Sequence, residues 1–471
     1  MNNTICAIAT GQGGAIGIIR ISGEEALPIT HKIFKPTTNR NLLSQKGYTI
    51  SYGTIIDEKE NVVDEVLISL FRAPHSYTGE DSVEISCHAS TYILQKILEL
   101  LINNGCTPAK PGEFTERAFL NGKMDLSQAE AVADVIAAQS ASAHKIAINQ
   151  IRGGISKELH DLREQLLHIL SLLELELDFS DHEDLEFADR EELLELATHI
   201  NDKFEKLLST FKSGNAIKNG IPVAIIGDTN AGKSTLLNRL VGEERAIVSD
   251  IRGTTRDVIE DVVVIDGVLF RFIDTAGIRD TTDIIEQMGI DRTFSKLRNA
   301  EIVLWVVDID HAEHEVANSY KQIEFATSNT KLILLLNKVD VYNKDVKQIK
   351  EQVLSFIDSV NTNTEPKPDI SVLTISAKCN IGIDRLKEEL SKFTAQLNTE
   401  DVVLSNVRHY DAFKRANEAI LRVINGLHNN LSGEFISQDL HDCTNALGEI
   451  IGSVSSQEVL NNIFSKFCIG K

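Results

Sequence analysis

The octapeptide Gly-Asp-Thr-Asn-Ala-Gly-Lys-Ser at 227–234 follows the β-branched run Val223–Ile226 and opens a helical pattern. Two glycines, a lysine and a serine at this spacing, between strand and helix, match a phosphate loop. Backbone N–H groups and the helix N-terminus would cradle phosphate, Lys233 would bring a point charge to the β/γ oxygens, and the Ser234 hydroxyl would hold magnesium. Alone, the octapeptide also fits a glycine-rich turn without function. Three further elements argue against that reading. Asp274-Thr-Ala-Gly277 closes the apolar run Leu269–Ile273, where it can sense a γ-phosphate, Asn337-Lys-Val-Asp340 closes Leu332–Leu336, and Ser376-Ala-Lys378 closes Val372–Ile375. Each falls at the carboxyl end of an expected strand, the side on which open α/β sheets bind ligands. The Asp340 carboxylate can accept from both the ring N–H and the amino group of guanine, a donor pair that adenine lacks. The four elements imply a guanine nucleotide.

In this combination the chain resembles the translation-factor-related GTPases. Many small GTPases orient the attacking water with a glutamine after the Asp-x-x-Gly element, but Ile278 stands there, so another group must do that work. The segment Gly253-Thr-Thr-Arg-Asp257 supplies switch threonines, and the resemblance makes Thr255 a second magnesium ligand. Asn230, inside the phosphate loop, either suits the turn or offers its side-chain oxygen to a monovalent cation near the β/γ bridge.

The elements that must position these residues follow from pattern and composition. The chain has 471 residues, 42% hydrophobic and 25% charged, which argues for several compact domains and against wholesale disorder. Residues 1–118 mix β-like runs (Ala15–Ile21, Val62–Phe71, Ser82–Cys87) with one helical stretch, Thr91–Ile102, as in an α+β domain. From about Phe119 apolar residues recur three and four apart: Leu159, Leu162, Leu166, Ile169, Leu170 and Leu173, then Leu193, Leu196, Ile200, Phe204, Leu207 and Phe211. These read as helices of a bundle. The helical period is expected to stop at Ser213–Pro222, and strands Ile302–Val307, Leu332–Leu336 and Val372–Ile375 then alternate with helices as in a doubly wound parallel sheet. After Leu397 helices resume, with Phe413, Ala416, Ile420, Val423 and Ile424 on one face. An α/β domain inserted into a helical domain is the expected organisation, with segments 1–118, 119–215, 216–382 and 383–471.

The 47 basic and 69 acidic residues give a net charge of -22, the wrong sign for a broad nucleic-acid clamp. The excess is local, because residues 158–212 hold 16 acidic and 5 basic side chains. Neither a secretory leader nor a membrane span is expected, so a cytoplasmic location is the default. Five scattered cysteines (Cys6, Cys87, Cys106, Cys379, Cys443) read as small core residues. Cys468, near a flexible C-terminus, reads as an accessible thiol.

GQGGAIGIIRISG (11–23), SYTGED (76–81), PGEFTERAFLNGKMDLSQAEAV (111–132), GTTRD, DTAG, NKVD and the terminal FCIGK (467–471) occur in this order from end to end. In this the chain resembles the MnmE (TrmE) family of tRNA-modifying GTPases. The resemblance implies a potassium-stimulated GTPase that works with a flavoprotein partner, MnmG, in a heterotetramer-type complex. The reaction would attach an aminomethyl or carboxymethylaminomethyl group to carbon 5 of the wobble uridine of certain tRNAs, with formyl- or methylene-tetrahydrofolate as one-carbon donor.

It implies an N-terminal domain that forms the homodimer and binds folate through Arg20, Glu80, Lys123 and Lys471. GTP would be held by Asn230, Ala231, Gly232, Lys233, Ser234 and Thr235, and by Ser249, Asp250, Ile251, Arg252, Gly253, Thr254 and Thr255. Asp274, Thr275, Ala276 and Gly277, then Asn337, Lys338 and Asp340, and Ser376, Ala377 and Lys378 complete that site. Mg2+ falls to Ser234 and Thr255, and K+ to Asn230, Ser249, Ile251 and Thr254. Glu286 would orient the hydrolytic water, and Cys468 would act on the modification substrate. A ribosome-assembly or signalling GTPase without modification chemistry is the alternative. It would carry a basic RNA module after the GTPase domain, whereas residues 400–471 hold 9 acidic and 6 basic side chains.

Overall fold

The computed structural model describes residues 3–11, 13–38, 41–178, 190–243, 261–273, 300–326, 330–342, 345–361, 369–396 and 402–470. The chain divides into two units, one of residues 1–133, 150–201 and 415–471, the other of residues 134–149 and 202–414.

The first unit contains β1 (Ile5–Ile8), β2 (Ile16–Ser22), α1 (Ala26–Ile33), β3 (Phe34–Pro36), β4 (Thr49–Ile56), β5 (Val62–Phe71), β6 (Ser82–His88), α2 (Thr91–Asn103) and β7 (Thr107–Pro108). The strands form one sheet in the order β3-β4-β5-β6-β2-β1-β7, antiparallel except for β1 with β7. Alternation places Ile19, Ile21, Ile68, Leu70, Val83 and Ile85 on the face covered by Leu27 of α1 and Ile97 and Leu101 of α2. Ile50, Tyr52 and Leu67 of β4 and β5 remain exposed.

The helices that follow are α3 (Glu113–Leu120), α4 (Leu126–Ala137), α5 (Ala141–Ile151), α6 (Gly154–Asp178), α7 (Arg190–Ser209) and α8 (Phe211–Asn219). On α6 the six apolar residues at helical spacing, Leu159 to Leu173, are all buried. The helical period stops inside the expected segment Ser213–Pro222, where α8 ends at Asn219 with Gly220 as its C-cap. Gly214 lies inside that helix: a Cβ there would stand 2.3 Å from the Leu404 carbonyl oxygen, so the glycine permits a close backbone approach rather than a break.

The second unit contains β8 (Ile221–Ile226), α9 (Lys233–Glu243), β9 (Asp261–Ile265), β10 (Val268–Phe272), β11 (Ile302–Asp308), α10 (Ala312–Ala326), β12 (Lys331–Asn337), α11 (Val346–Val360), β13 (Ile370–Thr374) and α12 (Ile383–Gln396). The sheet order is β13-β12-β11-β8-β10-β9. Ile302, Leu304 and Val306 face Leu236 and Leu240 of α9 and Leu386 of α12, while Val303, Trp305 and Val307 face Val316 and Tyr320 of α10 and Val353 and Ile357 of α11. With both faces covered, the strand reads as one continuous apolar run. The doubly wound α/β expectation holds, with one addition. β9, which the sequence reading did not pick out, pairs antiparallel with β10 through a turn at Asp266 (φ 48°) and Gly267 (φ 78°). The remaining helices are α13 (Val407–His428), α14 (Gly433–Ile451), which packs on α6, and α15 (Gln457–Phe464), which packs on α3.

Candidate functional site

β8 has β10 on one side and β11 on the other, so the chain reverses its winding at the strand that ends on the phosphate loop. Gly227 takes a φ of 139°, and a Cβ there would lie 2.0 Å from the Val306 carbonyl oxygen, so no other residue fits between β8 and β11. Gly232 (φ 101°) leaves room for the Asn337 amide, which its Cβ would meet at 2.2 Å. Lys233 starts α9, and its Nζ donates to the carbonyls of Gly227 and Asp228, each at 2.7 Å. Ser234 follows in the first turn of the helix and is half-buried.

The base side converges on the same loop. Asn337, buried at the end of β12, donates through Nδ2 to the Ala231 carbonyl at 2.7 Å and accepts at Oδ1 from the Ala377 N–H at 3.0 Å. Ser376 Oγ donates to Asp340 Oδ1 at 2.6 Å. That hydroxyl is the main reason the Asp340 carboxyl lies below its ordinary range, so the carboxylate stays charged for a donor pair. Lys338, with a left-handed φ of 69°, is paired with Asp308 at 2.7 Å. Thus Asn230, Ala231, Gly232, Lys233, Ser234, Thr235, Asn337, Lys338, Asp340, Ser376, Ala377 and Lys378 gather at the carboxyl ends of β8, β12 and β13. Ser249 to Thr255, Asp274 to Gly277, Glu286 and Lys471 lie outside the described residues.

A cavity of about 520 Å³ beside the loop is lined by Asp228, Asn230, Asp308, His311, Glu315 and Lys338, among others. Glu315 accepts hydrogen bonds from Trp305 and from the Asp228 backbone. Burial, then the Asp228 charge, pushes its carboxyl up to about 7. Glu315 and Arg239, whose guanidinium reaches the Ala377 and Lys378 carbonyls, carry no motif signal and escaped the sequence reading.

In the first unit, Arg20 and Lys123 flank the turn 76–81, which carries Glu80. Arg20 pairs with Glu84 at 2.9 Å, lies over the Tyr77 ring at 5.6 Å, and donates to the Gly470 carbonyl at 3.4 Å. Lys123 donates to the Pro74 carbonyl at 3.0 Å, and its Cγ and Cδ would each lie 3.5 Å from a Cβ on Gly79. Arg20 and Glu80 do not pair with each other. Glu80 is held by Arg117, 2% exposed, at 3.1 Å and by Ser22 Oγ at 2.8 Å, and Arg117 also binds Glu113 at 2.9 Å. Arg117 was missed, although a glutamate four residues before an arginine in a helix is a readable pair.

Four of the five cysteines read as core are buried, but Cys379 is exposed, in the loop beside Asp340. Cys468 is exposed as expected, but not because the tail is loose. Phe467 and Gly470 on either side of it are buried, and a Cβ on Gly470 would meet the Ile8 carbonyl oxygen at 2.6 Å.

Comparison with known proteins extends this picture. A model of the GTP-binding protein TrmE N-terminus matches residues 4–123, and a model of the MnmE helical domain matches residues 126–468. A tRNA modification GTPase MnmE from Bacteroides fragilis is 55% identical, covering 100% of this chain and 99% of the relative. The chain belongs to the MnmE family of tRNA modification GTPases. MnmE proteins of Phocaeicola vulgatus (52% identical) and Flavobacterium johnsoniae (48%) each cover 100% of the chain, with 99% of their own lengths matched. As an MnmE-family chain it joins a TrmE N-terminus, helices and a GTPase core. Among its described residues no helix is long and apolar enough to cross a membrane.

Proposed function

We propose that this protein hydrolyses GTP as part of the modification of carbon 5 of a tRNA wobble uridine. The observation that carries the reading is the buried Asn337 amide, which ties the phosphate loop to the guanine loop in a chain of the MnmE family. Asp340 reads the guanine edge, and Lys233 with the loop N–H groups holds the phosphates. Mg2+ is held by Ser234 and Thr255. A half-buried hydroxyl at the start of a helix suits a hard cation, and the ion would offset charge on the transferring phosphoryl group. K+ is assigned to Asn230, Ser249, Ile251 and Thr254. The Asn230 side chain borders the cavity beside the loop, but asparagine also tolerates its left-handed backbone (φ 67°). A salt dependence of hydrolysis separates the two roles. Glu286 orients the attacking water.

The N-terminal unit is assigned folate, with Arg20, Glu80, Lys123 and Lys471 as its contacts. Glu80 fits this use: its charge is balanced by Arg117, yet the side chain stays 20% exposed, so an oxygen can accept from the N–H groups of a pterin. The folate supplies a one-carbon unit, and the Cys468 thiol acts on the modification substrate. A flavoprotein of the MnmG type completes the reaction. The exposed apolar face of β4 and β5 supports homodimer formation through this unit. The four segments 1–118, 119–215, 216–382 and 383–471 are the proposed domains, and the cytoplasm the proposed location.

The deciding experiment is nucleoside analysis of tRNA from cells lacking the protein. Loss of the modified wobble uridine is expected, and its retention would turn the assignment towards a GTPase switch without modification chemistry. Hydrolysis is expected to run at least about tenfold faster in potassium than in sodium, a difference removed by Asn230→Ala. Equal rates in both salts would end the cation assignment.

A further inference from the structure

Arg239 stands in the second turn of the helix that starts at Lys233. Its guanidinium reaches across to the loop after β13, where Nε donates to the Ala377 carbonyl at 3.4 Å and Nη2 to the Lys378 carbonyl at 2.9 Å. The N–H groups of that loop are restrained from the other side. The Ser376 N–H donates to the Ile381 carbonyl at 2.9 Å, the Ala377 N–H to Asn337 Oδ1 at 3.0 Å, and the Cys379 N–H to Ser376 Oγ at 3.1 Å. Among the described residues, the Lys378 and Asn380 N–H groups of this loop have no partner in the protein, and of the two only that of Lys378 shares its peptide with a carbonyl that Arg239 holds. A trans peptide holds its C=O and N–H on opposite sides of one plane. A clamp on the Ala377 carbonyl therefore sets the direction of the Lys378 N–H.

We infer that Arg239 is a positioning residue for guanine recognition: it holds the Ala377–Lys378 peptide from behind, so that the Lys378 N–H is presented to the guanine O6. The inference rests on the guanine-nucleotide reading of this site. The chemistry favours guanine over adenine, because O6 accepts where the adenine amino group would set donor against donor. A planar guanidinium suits the task, since its fixed fork spans two neighbouring carbonyls, whereas a lysine ammonium is a single mobile charge. The arrangement links the helix of the phosphate loop to the base-reading loop by a second route, separate from Asn337.

The test compares GDP with two analogues on the full chain. 6-Thioguanosine diphosphate replaces only the O6 acceptor with a weaker one, and inosine diphosphate removes only the amino group that Asp340 reads. Arg239→Met is expected to weaken GDP about tenfold and to lower the preference for GDP over the thio analogue by a similar factor. The preference for GDP over inosine diphosphate should stay within about twofold of wild type, with Arg239→Lys intermediate on the first ratio. An unchanged thio ratio, or an equal fall in both ratios, would overturn the positioning role. Thermal melting checks that each variant is folded, and if Arg239→Met is not, the same criterion applies to Arg239→Lys. A wild-type chain with no preference for GDP over ADP would instead refute the guanine reading itself.

Discussion

Glu315, in the first turn of α10, meets the phosphate loop at Asp228 with a carboxyl raised to about 7, first by burial and then by the Asp228 charge. Lys233 opposes that shift. The folded chain therefore keeps a proton on this group, between the ordinary glutamate range and about 7, that the unfolded chain has already lost. Stability from this group falls as pH rises through that window. Glu315→Gln is expected to gain thermal stability relative to wild type between about pH 5 and about pH 8, and a difference independent of pH in melting curves would contradict the shift. Asn337→Ala leaves the Ala231 carbonyl and the Ala377 N–H without their buried partner, at an expected cost of about 1–3 kcal/mol in denaturant unfolding together with weaker GDP binding. A loss of binding without any loss of stability would mean that the amide serves the ligand alone. Asn337, Asp340 and Ser376 were legible in the sequence because base chemistry dictates both their types and their spacing. Arg239 and Arg117 were not, because an arginine's partners are chosen by where the fold lets a long side chain reach.

At the scale of the element, Gly214→Ala sets two terms against each other. In an open helix alanine would gain about 1 kcal/mol over glycine, but here the new Cβ would stand 2.3 Å from the Leu404 carbonyl oxygen. The contact should win, and the variant should melt several degrees lower. A rise in melting temperature would show that α8 can move away at little cost. The sequence placed the end of the helical pattern within Ser213–Pro222 but not at Gly220, since composition cannot distinguish a glycine that ends a helix from one, like Gly214, that admits a neighbouring backbone. The strands at β8, β11, β12 and β13 were legible because their apolar runs are long and buried on both faces. β9 was missed despite a readable signal, an Asp-Gly pair between two β-branched and aromatic runs, which favours a tight hairpin.

Over the whole molecule, a charge of -22 sets how the chain meets tRNA. With a net charge of the wrong sign for a broad clamp, the protein alone is expected to hold tRNA with a dissociation constant above about 1 µM near physiological salt. Filter binding that gave a value in the low nanomolar range would overturn this. The acidity was read correctly from counts of charge, but the division of the chain was only partly legible. Periodicity separates sheet from helix, yet only the contacts assign residues 1–133, 150–201 and 415–471 to one unit.

That discontinuity has a consequence for synthesis. Gly470 packs on Ile8, and α15 packs on α3, so β1 and α3 find part of their surroundings in residues made more than 300 positions later. At about 5–20 residues per second, the stretch from residue 201 to 415 occupies the ribosome for on the order of 10–40 s. Throughout that time the surfaces of α3 and β1 that the tail will cover stand open, where a chaperone can shield them or a second nascent chain can find them. The sheet that holds β1 is thus complete only after residues near 470 have been added.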